Sequence, residues 1–153
     1  FLVVGKGRFG EDEELQKAGG KRGFADNLLQ VGWVEPADIR DYLAVADVAI
    51  YPFSDTLLNR CKCPAKLTEI IRAGVPVVAD AVGQIKEYLR PGEGGALCAS
   101  GNVDEMIAEV LALIARPDER TRMGTAGREY LVENFNWRDA AGKIEGFYRE
   151  RLY

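Results

Sequence analysis

Short apolar runs alternate with helical stripes along most of this chain, and that alternation limits its fold more than any other feature. Residues 1–5, 27–32, 47–53, 75–81 and 95–99 read as five strands. They are apolar on both faces, which suits a parallel sheet covered on both sides. Between them, Glu11 to Lys17 reads as a charged helix stopped by Gly19-Gly20. Pro36 opens a second helix at its first position, with Ile39, Tyr42, Leu43 and Ala46 as its stripe. Residues 54–63 are polar and irregular. A helix from Pro64 to about Ala73 then puts Leu67, Ile70 and Ile71 on one face, with Gly74 as its stop. A short helix surrounds residues 85–89.

After residue 101 the pattern is wholly helical. Asn102 with Glu105 three residues on forms a capping signature, and Met106, Ile107, Val110, Leu111 and Ile114 repeat at helical spacing. A helix over residues 118–134 follows. The last begins at Asn136-Trp137 and carries Trp137, Ala140, Ala141, Ile144, Phe147 and Tyr148 on one stripe. Trp137 is expected to anchor that helix, while Phe147, Tyr148, Leu152 and Tyr153 are expected to lie exposed. Right-handed crossovers turn the strand–helix alternation into an α/β, Rossmann-like, doubly wound parallel sheet. Ligands bind such sheets beyond the carboxyl ends of the strands, so function is sought in the loops there.

Composition narrows the chemistry. At 153 residues and 47% hydrophobic side chains, the length and apolar content suit a single domain over residues 1–153. The net charge of −4 disfavours a nucleic-acid partner held by a basic surface. No apolar run reaches the ~20 residues of a membrane span, and no leader is visible, so a cytoplasmic location is expected. The chain opens inside an apolar run without Met, as if cut from something longer. There is no histidine, which removes the commonest base and metal ligand. Cys61, Cys63 and Cys98 lack the spacing of a structural zinc site and are expected to be free thiols, with no metal.

Two loops offer themselves for anions. Gly5-x-Gly7 with Gly10 matches a dinucleotide fingerprint. Glu11 to Glu14 follow directly, however, and four carboxylates would repel a pyrophosphate at that helix start. A plain glycine turn is the other reading. The helix from Pro64 has no acid in its first turn and gains Lys66. The N–H groups of Ala65 and Lys66 could hold a phosphate, with Glu69 accepting from a ribose diol. The competing reading makes Lys66 and Glu69 a surface pair at i, i+3 spacing.

The run from Cys63 to Ala79, with Glu69 preceding Ala73-Gly74-Val75-Pro76-Val77-Val78-Ala79 and then Gly83 and Glu87, resembles the signature of retaining glycosyltransferases of the GT-B fold (group 1). Gly32-Trp33-Val34, Ala46 to Pro52, Gly95-Ala96-Leu97 and Phe135-Asn136-Trp137 extend the likeness along the whole chain. The resemblance implies a C-terminal, donor-binding half that takes a nucleotide diphosphate-sugar. It implies that Glu69 holds the ribose and that Ala65 and Lys66 approach the diphosphate. Gly32, Trp33 and Val34 would border the base, and the loops of Gly5 to Gly7 and of Gly83 would lie near the donor. Charge on the leaving diphosphate would be met by helix amides and basic side chains, with no cofactor and no divalent metal.

Cys61 stands where the family usually has a second glutamate contacting the donor sugar, which leaves open a degenerate, non-catalytic module used for structure or partner binding. The resemblance also implies that a first strand–helix unit and an N-terminal acceptor domain of the same polypeptide are missing, and that any membrane association would come through those parts. An epimerising relative and an NAD-type domain resting on Gly5, Gly7 and Gly10 are further alternatives. The residues 1–153 alone are expected to be inactive.

Overall fold

Every strand pairing in the computed structural model is parallel, as the alternation demands. Residues 1–152 are described, without the side chain of Pro91, so the expectation for Tyr153 lies outside the described residues. Two units divide the chain, Phe1–Ala46 and Asp47 onward.

In the first unit, β1 (Leu2–Val4) pairs with β2 (Leu29–Gly32), Leu2 opposite Leu29. α1 (Glu11–Arg22) connects them and α2 (Ile39–Ala44) follows. α1 runs through Gly19-Gly20, contrary to the expected stop. Glycine in a helix interior costs only about 1 kcal/mol, whereas ending a helix needs its last carbonyls satisfied. Gly23, at φ 75°, does that: its N–H and that of Phe24 turn back to the carbonyls of Gly20 and Gly19. Pro36 does not open α2 either. Asp38 N–H donates to the Glu35 carbonyl, so Pro36 holds the second position of a turn, which the same fixed φ also favours.

The second unit holds a four-stranded sheet in the order β3-β4-β6-β5, built from β3 (Ala49–Tyr51), β4 (Val77–Asp80), β5 (Arg90–Pro91) and β6 (Gly94–Cys98). β5 was not expected, and β3 is shorter than the apolar run that predicted it. Side-chain alternation along β4 splits the core into two layers. Val77 and Ala79 join Leu67 and Ile71 of α4 (Ala65–Arg72), Ile85 and Tyr88 of α5 (Ile85–Tyr88), and Leu131. Val78 faces the other way, with Cys98, Leu113 and Met123. Leu113 belongs to α6 (Val103–Ala115); Met123 and Leu131 belong to α7 (Pro117–Asn134). Helices on both faces make this unit doubly wound, as expected.

α7 reaches both layers because two of its glycines let backbone meet backbone. A Cβ on Gly124 would run into the Gly74 carbonyl, and one on Gly127 into the backbone of Gly94. The final helix, α8 (Trp137–Leu152), is capped as expected, the Asn136 side chain accepting from Asp139 N–H at 2.9 Å. Its stripe is a different matter. No residue of α8 is buried, and Trp137, expected to anchor it, is 90% exposed. Periodicity located the apolar face, but the second unit buries none of its residues and leaves only Ala140 of the stripe half-covered. Phe147, Tyr148 and Leu152 are exposed, as expected.

Candidate functional site

Loops at the carboxyl ends of the strands decide what each unit can bind. In the first unit, Gly5 follows β1 and its N–H donates to the Gly32 carbonyl at 2.8 Å. Gly7 is pressed against the start of α1: a Cβ there would lie 2.9 Å from Glu11 N and 2.7 Å from Glu11 Oε2. Glu11 Oε2 also accepts from Phe9 N–H at 2.8 Å. The chain's own carboxylate thus fills the start of α1, which supports a glycine turn over a pyrophosphate cradle. Trp33 is exposed and Val34 half-buried just beyond β2.

In the second unit, the polar stretch after β3 is not irregular throughout, since Leu57–Arg60 form a helix, α3. Thr56 caps it by accepting from Asn59 N–H at 3.2 Å. Arg60 grips Asp55 with two bonds, Nε to Oδ1 at 2.6 Å and Nη2 to Oδ2 at 2.8 Å. That bond from Arg60 holds the Asp55 carboxyl below its ordinary range. The tip of β4 fixes the base of the same loop. Asp80 is 5% exposed; Oδ2 accepts from Phe53 N–H at 2.7 Å and Oδ1 from Gly101 N–H at 3.3 Å. It lines a cleft of about 400 Å³ with Pro52, Phe53 and Met106. Asp80 escaped the sequence reading because it sat inside a strand; a carboxylate ending an apolar run was the available signal.

Gly83 follows β4 at φ 51°, and a Cβ there would sit 2.7 Å from the Arg60 carbonyl oxygen. Only glycine allows this approach, so the Gly83 loop lies against the end of α3, which Cys61 follows. Cys61 and Cys63 are exposed free thiols. Cys63 Sγ lies 3.6 Å from the Tyr88 hydroxyl, which burial, aided by that contact, pushes up to about 12. Cys98 is a free thiol buried in the other core layer, and burial raises its thiol. Among the described residues no three metal-ligating side chains come together.

α4 begins after Pro64, with no side-chain cap. Ala65 N–H turns to the Cys63 carbonyl at 3.0 Å, while Lys66 N–H has no backbone acceptor among the described residues. Leu67 and Ile71 face the core, which leaves Lys66 and Glu69 on the exposed side. Neither takes part in an ion pair among the described residues, so the surface-pair reading of Lys66 with Glu69 is not realised. The second unit thus puts Ala65, Lys66 and Glu69 on α4, with Cys61 at the end of α3 where Gly83 meets Arg60. It offers an anion a helix N-terminus with an ammonium beside it and a carboxylate one turn on.

Residues 1–116 match the family described as Glycosyl transferases group 1. The chain belongs to that family. Among curated relatives, the MMP alpha-(1->4)-mannosyltransferase of Mycolicibacterium hassiacum is 30% identical over 131 residues, 85% of this chain and 31% of that protein. The GDP-mannose-dependent alpha-(1-6)-phosphatidylinositol monomannoside mannosyltransferase of Mycobacterium tuberculosis is 28% identical over 151 residues, 97% of this chain and 39% of that protein. This group 1 chain thus spans about a third of the length of the relatives it matches. Its fold is similar to that of Alr3699/HepE from Anabaena, solved with UDP, with a TM-score of 0.78 at 20% identity over 97% of this chain and 40% of that one. No described helix is long and apolar enough to cross a membrane.

Proposed function

We propose that residues 1–153 are the nucleotide-sugar-binding part of a retaining glycosyltransferase, the acceptor domain and a first strand–helix unit being supplied from elsewhere in the polypeptide. The observation that carries this reading is the start of α4 in a group 1 chain, where Lys66 and Glu69 are exposed and, among the described residues, the Lys66 N–H has no acceptor and neither side chain an ion-pair partner. The Lys66 N–H and ammonium meet the diphosphate, the Ala65 N–H being held by the Cys63 carbonyl, and Glu69 accepts from the ribose hydroxyls. In the reaction, the bond from the anomeric carbon to the diphosphate breaks, a bond from an acceptor hydroxyl oxygen forms on the same face, and the hydroxyl proton passes to the departing diphosphate oxygen. The Lys66 amide and basic side chains stabilise the leaving diphosphate, without a metal ion. The relatives named for GDP-mannose and the fold neighbour solved with UDP make guanine and uracil the first bases to try.

Titration of the full-length protein with GDP, UDP, ADP and NAD tests the reading. A GDP or UDP affinity weakened by Glu69→Gln supports it, and by more than Lys66→Ala, because two charge-assisted bonds of ~1.5–3 kcal/mol outweigh a screened surface charge of ~0.5–1 kcal/mol. Raising salt should erode the Lys66 contribution and spare that of Glu69. Cys61, exposed where the family usually has a glutamate, favours the second reading of a non-catalytic module. No binding of any of the four nucleotides would decide for that reading.

A further inference from the structure

The segment between β3 and α4 is mostly exposed and polar, yet hydrogen bonds pin it along its length. Phe53, just past β3, has both backbone groups held. Its N–H donates to Asp80 Oδ2 at 2.7 Å, and its carbonyl accepts from the Ser100 hydroxyl at 3.0 Å. The Phe53 ring stacks on that of Tyr51, centroids 5.1 Å apart, and packs against the core layer to which Leu67 of α4 belongs. Farther along, the Asn59 side-chain amide donates to the Ser54 carbonyl at 2.9 Å, and Lys62 N–H turns back to the Asn59 carbonyl at 3.4 Å. These bonds give one cation a fixed place. The Lys62 ammonium stands over the Phe53 ring, 5.7 Å from its centroid, where the negative face of the ring attracts it.

Lys62 has no carboxylate partner among the described residues. Asp55, the acid of the same loop, is engaged by both bonds from Arg60. Holding a lysine stem over a ring costs rotamer entropy, and an exposed cation–π contact offsets only part of it. A cation held in this way at the carboxyl ends of the strands is preorganised for an anion. Phe53 sets it on the α4 side of the sheet, the side of Leu67. Lys62 precedes Lys66 by four residues, so their Cα atoms are at most about 14 Å apart and both side chains can reach one diphosphate. We infer that Lys62 is a second diphosphate-binding lysine, its ammonium carried by the Phe53 ring to the group that Lys66 meets. This rests on the reading of the start of α4 as the donor site and adds a residue to it. The chemistry asks for a second cation, because the diphosphate gains negative charge as the sugar leaves and Glu69 already brings one carboxylate to the same helix.

Affinity of the full-length protein for GDP and UDP is the test. Lys62→Met keeps an unbranched stem over Phe53 and removes the charge. Its affinity for the nucleotide that the wild type binds should fall at least about threefold at low salt, as one charged contact to a phosphate is lost. The gap between wild type and variant should close as salt is raised, and Lys62→Arg, which keeps the charge, should stay within about twofold of wild type. A smaller loss in Lys62→Met overturns the inference. So does a gap that salt leaves unchanged, or one that Lys62→Arg shares, since either would make Lys62 a support of the loop and not a contact. Wild-type protein that binds neither nucleotide sinks the donor reading and this inference with it. Wild-type protein that binds while Lys62→Met binds equally well sinks this inference alone.

Discussion

α4 and α8 have the same kind of sequence, an apolar stripe on an otherwise polar helix, and they meet opposite fates. α4 buries Leu67 and Ile71 almost completely against Val77 and Ala79. α8, twice as long, buries nothing. Periodicity states which face of a helix is apolar; whether that face stabilises anything depends on a surface opposite it. The second unit supplies that surface for α4 and not for α8. Stability in this unit should therefore reside in α4, α7 and β4, and α8 should be close to silent within it.

Truncation gives the largest contrast. Leu67→Ala should cost ~2–5 kcal/mol in denaturant unfolding, the range for a leucine removed from a closed core. Ile144→Ala, on the α8 stripe, should fall within ~0.5 kcal/mol. A large loss at Ile144 would mean that α8 is packed in the intact protein. Glycines sharpen the same comparison, because here the sign reverses. Gly127→Ala drives a methyl into the Gly94 backbone and should destabilise by ~1–3 kcal/mol. Gly142 and Gly146 of α8 have open space where a Cβ would go, so alanine at either should gain ~0.4–1 kcal/mol.

Tyr88 provides a pH test of the buried side. Its folded hydroxyl titrates near 12 against an ordinary 10.0, raised first by burial and then by the contact with Cys63. The folded chain thus holds this proton more tightly than the unfolded chain. The associated stability is complete below pH 10 and lost as the pH rises through about 12, on the order of 2 kcal/mol across that window. Tyr88→Phe should remove this dependence, and a slope that persists in the variant would assign it elsewhere.

What could be read in advance was what is local. The Asn102–Glu105 cap, the Asn136 cap, the Pro64 helix start and the parallel sheet each depend on neighbours within a few residues or on a repeating pattern. Gly19-Gly20 misled because the signal that ends α1 is the backbone of Gly23. Pro36 misled because a helix start and a turn ask the same φ of proline. The Arg60–Asp55 grip and the meeting of Gly127 with Gly94 could not be read at all, since each joins groups that only the fold brings together, and Asp80 showed only as a carboxylate ending an apolar run. The candidate site divides in the same way: Lys66 and Glu69 follow from helical spacing, whereas the contact that sets Gly83 beside Arg60 does not.

The smallest effects lie at the start of α8, where two adjacent residues should part company. Asn136 accepts from Asp139 N–H at 2.9 Å and donates to Asp139 Oδ2 at 2.8 Å, so it satisfies an end group that would otherwise need water. Asn136→Ala should cost ~1 kcal/mol of helix stability, the usual loss when such a cap is removed. Trp137 is the larger residue and 90% exposed, so Trp137→Ala removes little that folding had buried. Its effect should stay within ~0.5 kcal/mol. Helicity of α8 is the better readout than global unfolding, because a helix with no buried residue can fray on its own. A Trp137→Ala loss larger than the Asn136→Ala loss in the full-length protein would show that the indole has found a surface there, and that the difference between α4 and α8 belongs to residues 1–153 and not to the intact chain.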